Sequence, residues 1–158
     1  MDTTHHRYLR TFRHSFIVKE SVDRVWDFYT DIKHLEIITP DKIDLKIINA
    51  TNKRIVIGQE IWISGKIITK IRSTWHSKIT LARPFEYVDE MLTGPFKKWK
   101  HSHKFYDLDG EQTEIEDTIE FDLPYGILGK VFEGYAYKQI QKTFEHRKIA
   151  TLNALEKK

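Results

Sequence analysis

The stretch GPFKKWKHSHKF, residues 94–105, runs from a turn signal straight into an alternating strand. Gly94 tolerates backbone angles closed to other residues, and Pro95 fixes φ and offers no N–H for pairing. Side chains on a strand repeat with period two, so Lys98, Lys100, Ser102 and Lys104 share one face and Trp99, His101, His103 and Phe105 the other. Lysines seek water, which turns the Trp/His/His/Phe face inward. Two histidines on an inward face need polar partners that a plain apolar core does not offer. The pattern is easier to reconcile with an internal cavity.

Working outward, the same alternation recurs on both sides. Residues 12–19 (FRHSFIVK) read as a first strand with Phe12, His14, Phe16 and Val18 on one side. Ser21 then offers a helix N-cap, and Val22, Val25, Trp26 and Tyr29 form an amphipathic stripe at i, i+3, i+4 and i+7. HLEIITP, ended by Pro40, predicts a second short helix. From residue 43 the chain turns to β-branched runs: DLKIINAT, QEIWISGKII, RSTWHSKITL, FEYVDEML, KKWKHSHKFYDL and TEIEDTIEFDL. Short separators at Arg83–Pro84, Thr93–Pro95 and Asp109–Gly110 predict antiparallel neighbours. In the last run Ile115, Asp117, Ile119 and Phe121 face in, so Asp117 is an inward carboxylate. From about Ile127 to Leu155 the chain reads as one helix, roughly 40 Å long, with a drifting apolar stripe through Leu128, Val131, Phe132, Tyr135, Ile140, Phe144, Thr151, Leu152 and Leu155 and a lysine-rich final turn.

This order predicts an α+β helix-grip architecture. A curved seven-stranded antiparallel sheet wraps around a long C-terminal helix, two short helices follow the first strand, and a hollow remains between sheet and helix. A chain of 158 residues suits a single domain, with a core at about 12–155, burying roughly 68 to 70% of its unfolded surface. The absence of cysteine removes disulfides, thiolate nucleophiles and cysteine zinc sites. Basic and acidic residues are mixed, 26 against 23, which does not call for nucleic acid. Lys66, Lys70, Arg72 and Lys78, with the lysines at 97, 98, 100 and 104, are expected on a solvated outer sheet face, and Trp62 on the outer face or at an interface. No apolar run reaches the roughly 18 to 20 residues of a membrane span, and the opening residues lack the apolar core of a signal peptide, so the default expectation is cytoplasmic.

Trp26 in the first helix, ITP at 38–40, Trp75 in the fourth strand, GPFKKWKHSHKF at 94–105 and DLPYGILG at 122–129 come in an order that resembles the ligand-binding SRPBCC proteins of the START-like superfamily. The resemblance covers nearly the whole chain from about residue 12. It implies the helix-grip fold shared with the major birch pollen allergen and with polyketide aromatase/cyclases, and a hollow for a hydrophobic small molecule such as a lipid, polyketide or isoprenoid.

A hairpin closed at Asp109–Gly110 sets Asp117 opposite His101 or His103, and one closed at Gly94–Pro95 sets Asp89 near His101 and Tyr87 near His103. A carboxylate on one ring nitrogen fixes a histidine's tautomer and leaves the other nitrogen to act on a ligand. The expectation is a binding protein whose hollow is lined by Trp26, Trp75, Tyr87, Asp89, Trp99, Phe105, Phe121, Phe132 and Tyr135. Gly134 either admits close approach to the helix or serves packing. The alternative is a cyclase or dehydratase with His101 or His103 as general acid/base, oriented by Asp117. A buried structural network, and a metal held by the two histidines with Asp89 or Asp117, are further readings of the same four residues; no metal or other cofactor is assigned. An interaction module using the basic face is a third class. Oligomeric state is not legible.

Overall fold

The computed structural model describes residues 9–67 and 70–156. The elements run β1 (Arg10–Val18), α1 (Val22–Thr30), α2 (His34–Ile38), a 3-10 turn (Asp41–Ile43), β2 (Lys46–Ala50), β3 (Glu60–Gly65), β4 (Ser73–Arg83), β5 (Glu86–Thr93), β6 (Lys98–Asp107), β7 (Thr113–Asp122) and α3 (Ile127–Glu156). All seven strands form one antiparallel sheet in the order β1-β7-β6-β5-β4-β3-β2, so the first strand closes against the last. Register shifts in the β4–β5 pair, at His76/Ser77 and Ile79/Leu81, bend the sheet locally, as bulges do. The result is the expected α+β helix grip, with α3 lying in the concave face. Among the described residues no helix is long and apolar enough to cross a membrane.

The alternation read at 98–105 holds. Lys98 and Lys100 are exposed and Lys104 half-buried, while His101, His103 and Phe105 are buried. On β7, Ile115, Asp117, Ile119 and Phe121 are buried in strict alternation. Ser21 occupies the extended conformation of an N-cap, although its hydroxyl caps nothing and its carbonyl accepts the first helical bond, from the Val25 amide. Trp26 packs from α1 against Phe85, Tyr87 and Phe105. Trp62 stacks on His76 on the outer face, ring centroids 4.3 Å apart.

The apolar stripe expected on α3 is half wrong, for a steric reason. Gly129 and Ala136 are buried in its first half, and Ile140, Phe144, Thr151 and Leu155 continue that line, whereas Leu128, Val131, Phe132 and Tyr135 are exposed. A Cβ on Gly129 would sit 2.3 Å from the Pro124 carbonyl oxygen, so the helix meets the 123–124 segment at a position where no side chain fits. That contact fixes the rotation of α3, turning the small residues inward and the large ones out. Gly134, by contrast, faces open space and serves no close approach. Leu155 is buried, while the lysines of the last turn, Lys157 and Lys158, and Ile68 at the end of QEIWISGKII lie outside the described residues.

The core has two parts. One gathers Val18, Val25, Ile115, Phe105 and the inner residues of β3 and β4 beneath α1. The other gathers Phe12, Phe96, Ile119, Phe121 and Leu123 against Ala136, Ile140 and Phe144 of α3. Burying side chains of this size contributes about 1.5 to 3 kcal/mol each. Ile67 and Met91 pack against both parts and line the hollow.

Candidate functional site

A cavity of about 140 Å³ lies between the sheet and α3, with α2 also contributing to its wall. Its wall is mostly aliphatic and aromatic, with Ile61, Ile63, Trp75 and Ile79 from the sheet and Ile140 and Phe144 from α3. Gly94 holds the β5–β6 turn against Trp75, because a Cβ there would come within 2.5 Å of the Trp75 Cβ. The histidine and aspartate patch of the wall is built on three adjacent strands. Backbone register sets Asp89 beside His101, Tyr87 beside His103, and His103 beside Asp117. The side chains then bond along the diagonals: His101 Nε2 donates to Asp117 Oδ1 at 2.9 Å and His103 Nε2 to Asp89 Oδ2 at 3.0 Å.

The second nitrogens face carboxylates too. His101 Nδ1 is 3.6 Å from Asp89 Oδ2. His103 Nδ1 is 3.3 Å from Asp117 Oδ1 but out of line for a hydrogen bond, and it has no other partner among the described residues. The imidazoles lie against each other with centroids 3.6 Å apart, and Tyr87 stacks on His103 at 4.0 Å.

Electrostatics follow from this square. Burial pushes the Asp117 and Asp89 carboxyls upward, but the histidines bonded to them outweigh it and hold both below the usual carboxylate range. Burial and the charge of His103 push His101 down, more than Asp117 and Asp89 raise it. For His103 burial also lowers the pKa, yet its contacts with Asp117 and Asp89 win and raise it. Of the two, His103 is the one that holds its proton to higher pH. Burial raises the Tyr87 and Tyr29 hydroxyls, so both are neutral.

Of the residues expected at the site, Trp75, Tyr87, Asp89, Trp99, His101, His103 and Asp117 line the cavity. Trp26, Phe105 and Phe121 stand behind the wall in the packed core. Phe132 and Tyr135 lie on the solvent side of α3, Phe132 in an outer groove with Ile71, Pro95 and Leu123. This placement follows from the rotation that Gly129 imposes.

Sequence reading missed Arg147, which reaches the cavity wall from α3, donates to Thr39 Oγ1 at 3.3 Å and stands over the Phe144 ring. Its Nε is buried with no hydrogen-bond partner among the described residues. The signal was its place on the buried line Ile140, Phe144, Thr151, where a charged residue is out of character. Ser77 and Gln139 also line the cavity and were not singled out. Asp89, His101 and His103 bring donor atoms within 4.8 Å of one another, close enough to hold one cation.

The model of one protein family, described as polyketide cyclase / dehydrase and lipid transport, matches residues 18–144. The chain belongs to this family. Solved structures share the fold. A START superfamily protein from Mycobacterium smegmatis aligns with a TM-score of 0.72 at 13% identity, covering 92% of this chain and 97% of that one. The Zhui aromatase/cyclase from Streptomyces sp. R1128 aligns at 0.67 and 20% identity, covering 93% and 91%. Norcoclaurine synthase from Thalictrum flavum, solved with dopamine and hydroxybenzaldehyde, aligns at 0.68 and 14%, covering 94% and 88%. No curated protein matches the chain in sequence. Identities this low speak for the fold alone, so this family member's activity has to be argued from its own residues.

Proposed function

We propose that this family member binds a hydrophobic small molecule in the cavity between sheet and α3, with the polar part of the ligand toward the His/Asp square. The observation that carries this reading is a mostly apolar-walled hollow of about 140 Å³ with the Asp89, His101, His103 and Asp117 square in its wall. Its size selects among ligands. An apolar cavity of about 150 Å³ accepts a molecule like benzene, so this one takes a ring or a short branched tail, as on an aromatic polyketide unit or a terminal isoprene, and not a whole diacyl lipid. Tyr87 and Ser77 line the cavity and carry hydroxyls suited to a ligand oxygen or hydroxyl.

A second reading, acid/base catalysis of cyclisation or dehydration, draws support from the opposite pKa shifts of His101 and His103, the kind of split that separates an acid from a base. Binding is the better reading because all four ring nitrogens face carboxylates, leaving none aimed at a substrate. Native mass spectrometry of protein purified from its own host, before and after solvent extraction, tests the proposal. It predicts a retained small apolar compound that extraction removes. Ligand-free protein that also binds no added aromatic compound contradicts it.

A further inference from the structure

Asp117 stands behind both histidines. Its Oδ1 accepts from His101 Nε2 at 2.9 Å and lies 3.3 Å from His103 Nδ1. His101 donates from Nε2 to Asp117, so in the neutral ring the nitrogen left as acceptor or ligand is Nδ1. That nitrogen faces Asp89 Oδ2 at 3.6 Å, and His103 Nε2 is 3.0 Å from the same oxygen. In the ion-free protein the proton on His103 Nε2 fills this place against Asp89 Oδ2, and a bound ion would replace that proton.

A cation held at about 2.0 to 2.2 Å by nitrogen and carboxylate ligands keeps neighbouring ligand atoms about 3 to 3.5 Å apart. The contacts to Asp89 Oδ2, at 3.0 and 3.6 Å, bracket that spacing, and all three donor atoms lie within 4.8 Å of one another. A carboxylate bonded to the far nitrogen of a ligating histidine is also what orients imidazoles on a metal. Arg147, the cationic side chain of the cavity wall, bonds Thr39 and pairs with neither carboxylate.

The geometry points to a site for one divalent transition ion, of the zinc or iron class, held by Asp89 Oδ2, His101 Nδ1 and His103 Nε2, with Asp117 as the outer carboxylate that orients the His101 ring. Two imidazoles select such ions over magnesium or calcium, which prefer oxygen alone. His101 and His103 are close in sequence, but Asp89 reaches them only through the β5–β6 register, so no spacing motif announces the site. All three residues line the cavity, and a ligand oxygen can complete the ion's coordination. The inference stands on donor geometry and does not depend on the small-molecule reading.

The test uses the full chain treated with EDTA, titrated with Zn²⁺ by calorimetry and with Co²⁺ by visible absorption. The expected result is one ion per chain, lost in Asp89→Asn and in His103→Gln, and weakened about 10- to 100-fold in Asp117→Asn. Circular dichroism confirms that each variant is folded; because Asp89→Asn keeps the shape of the side chain, a failure of that variant to bind is informative. No stoichiometric binding by the wild type overturns the inference, and shows that a proton on His103 accounts for the same contacts. Binding that survives in both Asp89→Asn and His103→Gln also overturns it, placing the ion elsewhere, as on His5 and His6.

Discussion

Asp117→Asn is the substitution that weighs the His/Asp square. Asp117 is 4% exposed, accepts a 2.9 Å bond from His101 and has His103 Nδ1 at 3.3 Å. Asparagine keeps the shape but removes the charge that both imidazoles face. One charge-assisted hydrogen bond is worth about 1.5 to 3 kcal/mol, and breaking a buried ion pair costs about 3 to 5 kcal/mol. Asp89 still holds His103, so the expected loss lies between these, about 2 to 4 kcal/mol. For a chain of this length that lowers Tm by roughly 4 to 16 °C. The assay is urea denaturation and thermal melting at pH 6 in EDTA, repeated at pH 3. The folded-state pKa of Asp117 is depressed, so its stabilisation is present above about pH 4 and is lost as pH falls through the folded value. The gap between wild type and variant therefore narrows toward pH 3. A loss under about 0.5 kcal/mol at pH 6, or a gap that widens in acid, refutes the reasoning.

His103→Gln probes the opposite sign: the raised pKa of His103 gives stability that is full below about pH 6.5 and lost as pH rises through the folded value, so wild type and variant differ more at pH 6 than at pH 9 in denaturant melts. Gly129→Ala forces a Cβ against the Pro124 carbonyl oxygen and is expected to destabilise by about 1 to 3 kcal/mol, measured by urea unfolding; a neutral result contradicts the account of how α3 is rotated. Neutralising Lys98, Lys100 and Lys104 together is expected to change stability by no more than about 1 kcal/mol per residue and leave binding of an apolar probe unchanged in fluorescence titration, since these side chains lie on the outer face. Phe144→Ala removes a buried ring from the cavity wall, at a cost of about 3 to 5 kcal/mol, and ligand-bound crystals of it are expected to show a larger hollow.

Much of the fold was legible because strand alternation and turn residues act locally. The period-two pattern at 98–105 separated lysines from histidines, and the turns at Gly94–Pro95 and Asp109–Gly110 set the registers that bring Asp89, His101, His103 and Asp117 together. The diagonal bonding was not legible. Backbone register pairs His103 with Asp117, yet the shortest bond to Asp117 comes from His101, because side-chain rotamers choose among neighbours that register only assembles. Nor was the facing of α3, where apolar residues circle the helix and only the steric demand at Gly129 chooses a side. Phe132 and Tyr135 were assigned to the hollow for that reason, and Arg147 was overlooked for the same one.

The central claim is that the hollow between sheet and α3 takes a small apolar molecule. Two-dimensional amide and tryptophan-indole NMR during titration with 2-phenylethanol tests it most directly, since this neutral probe carries a single ring and one hydroxyl. The account predicts saturable shifts at Trp75, Trp99, Tyr87 and Ile140, which line the cavity, with Trp62 on the outer face unmoved. Shifts confined to the outer groove around Phe132 and Leu123, or none at saturating probe, would contradict it.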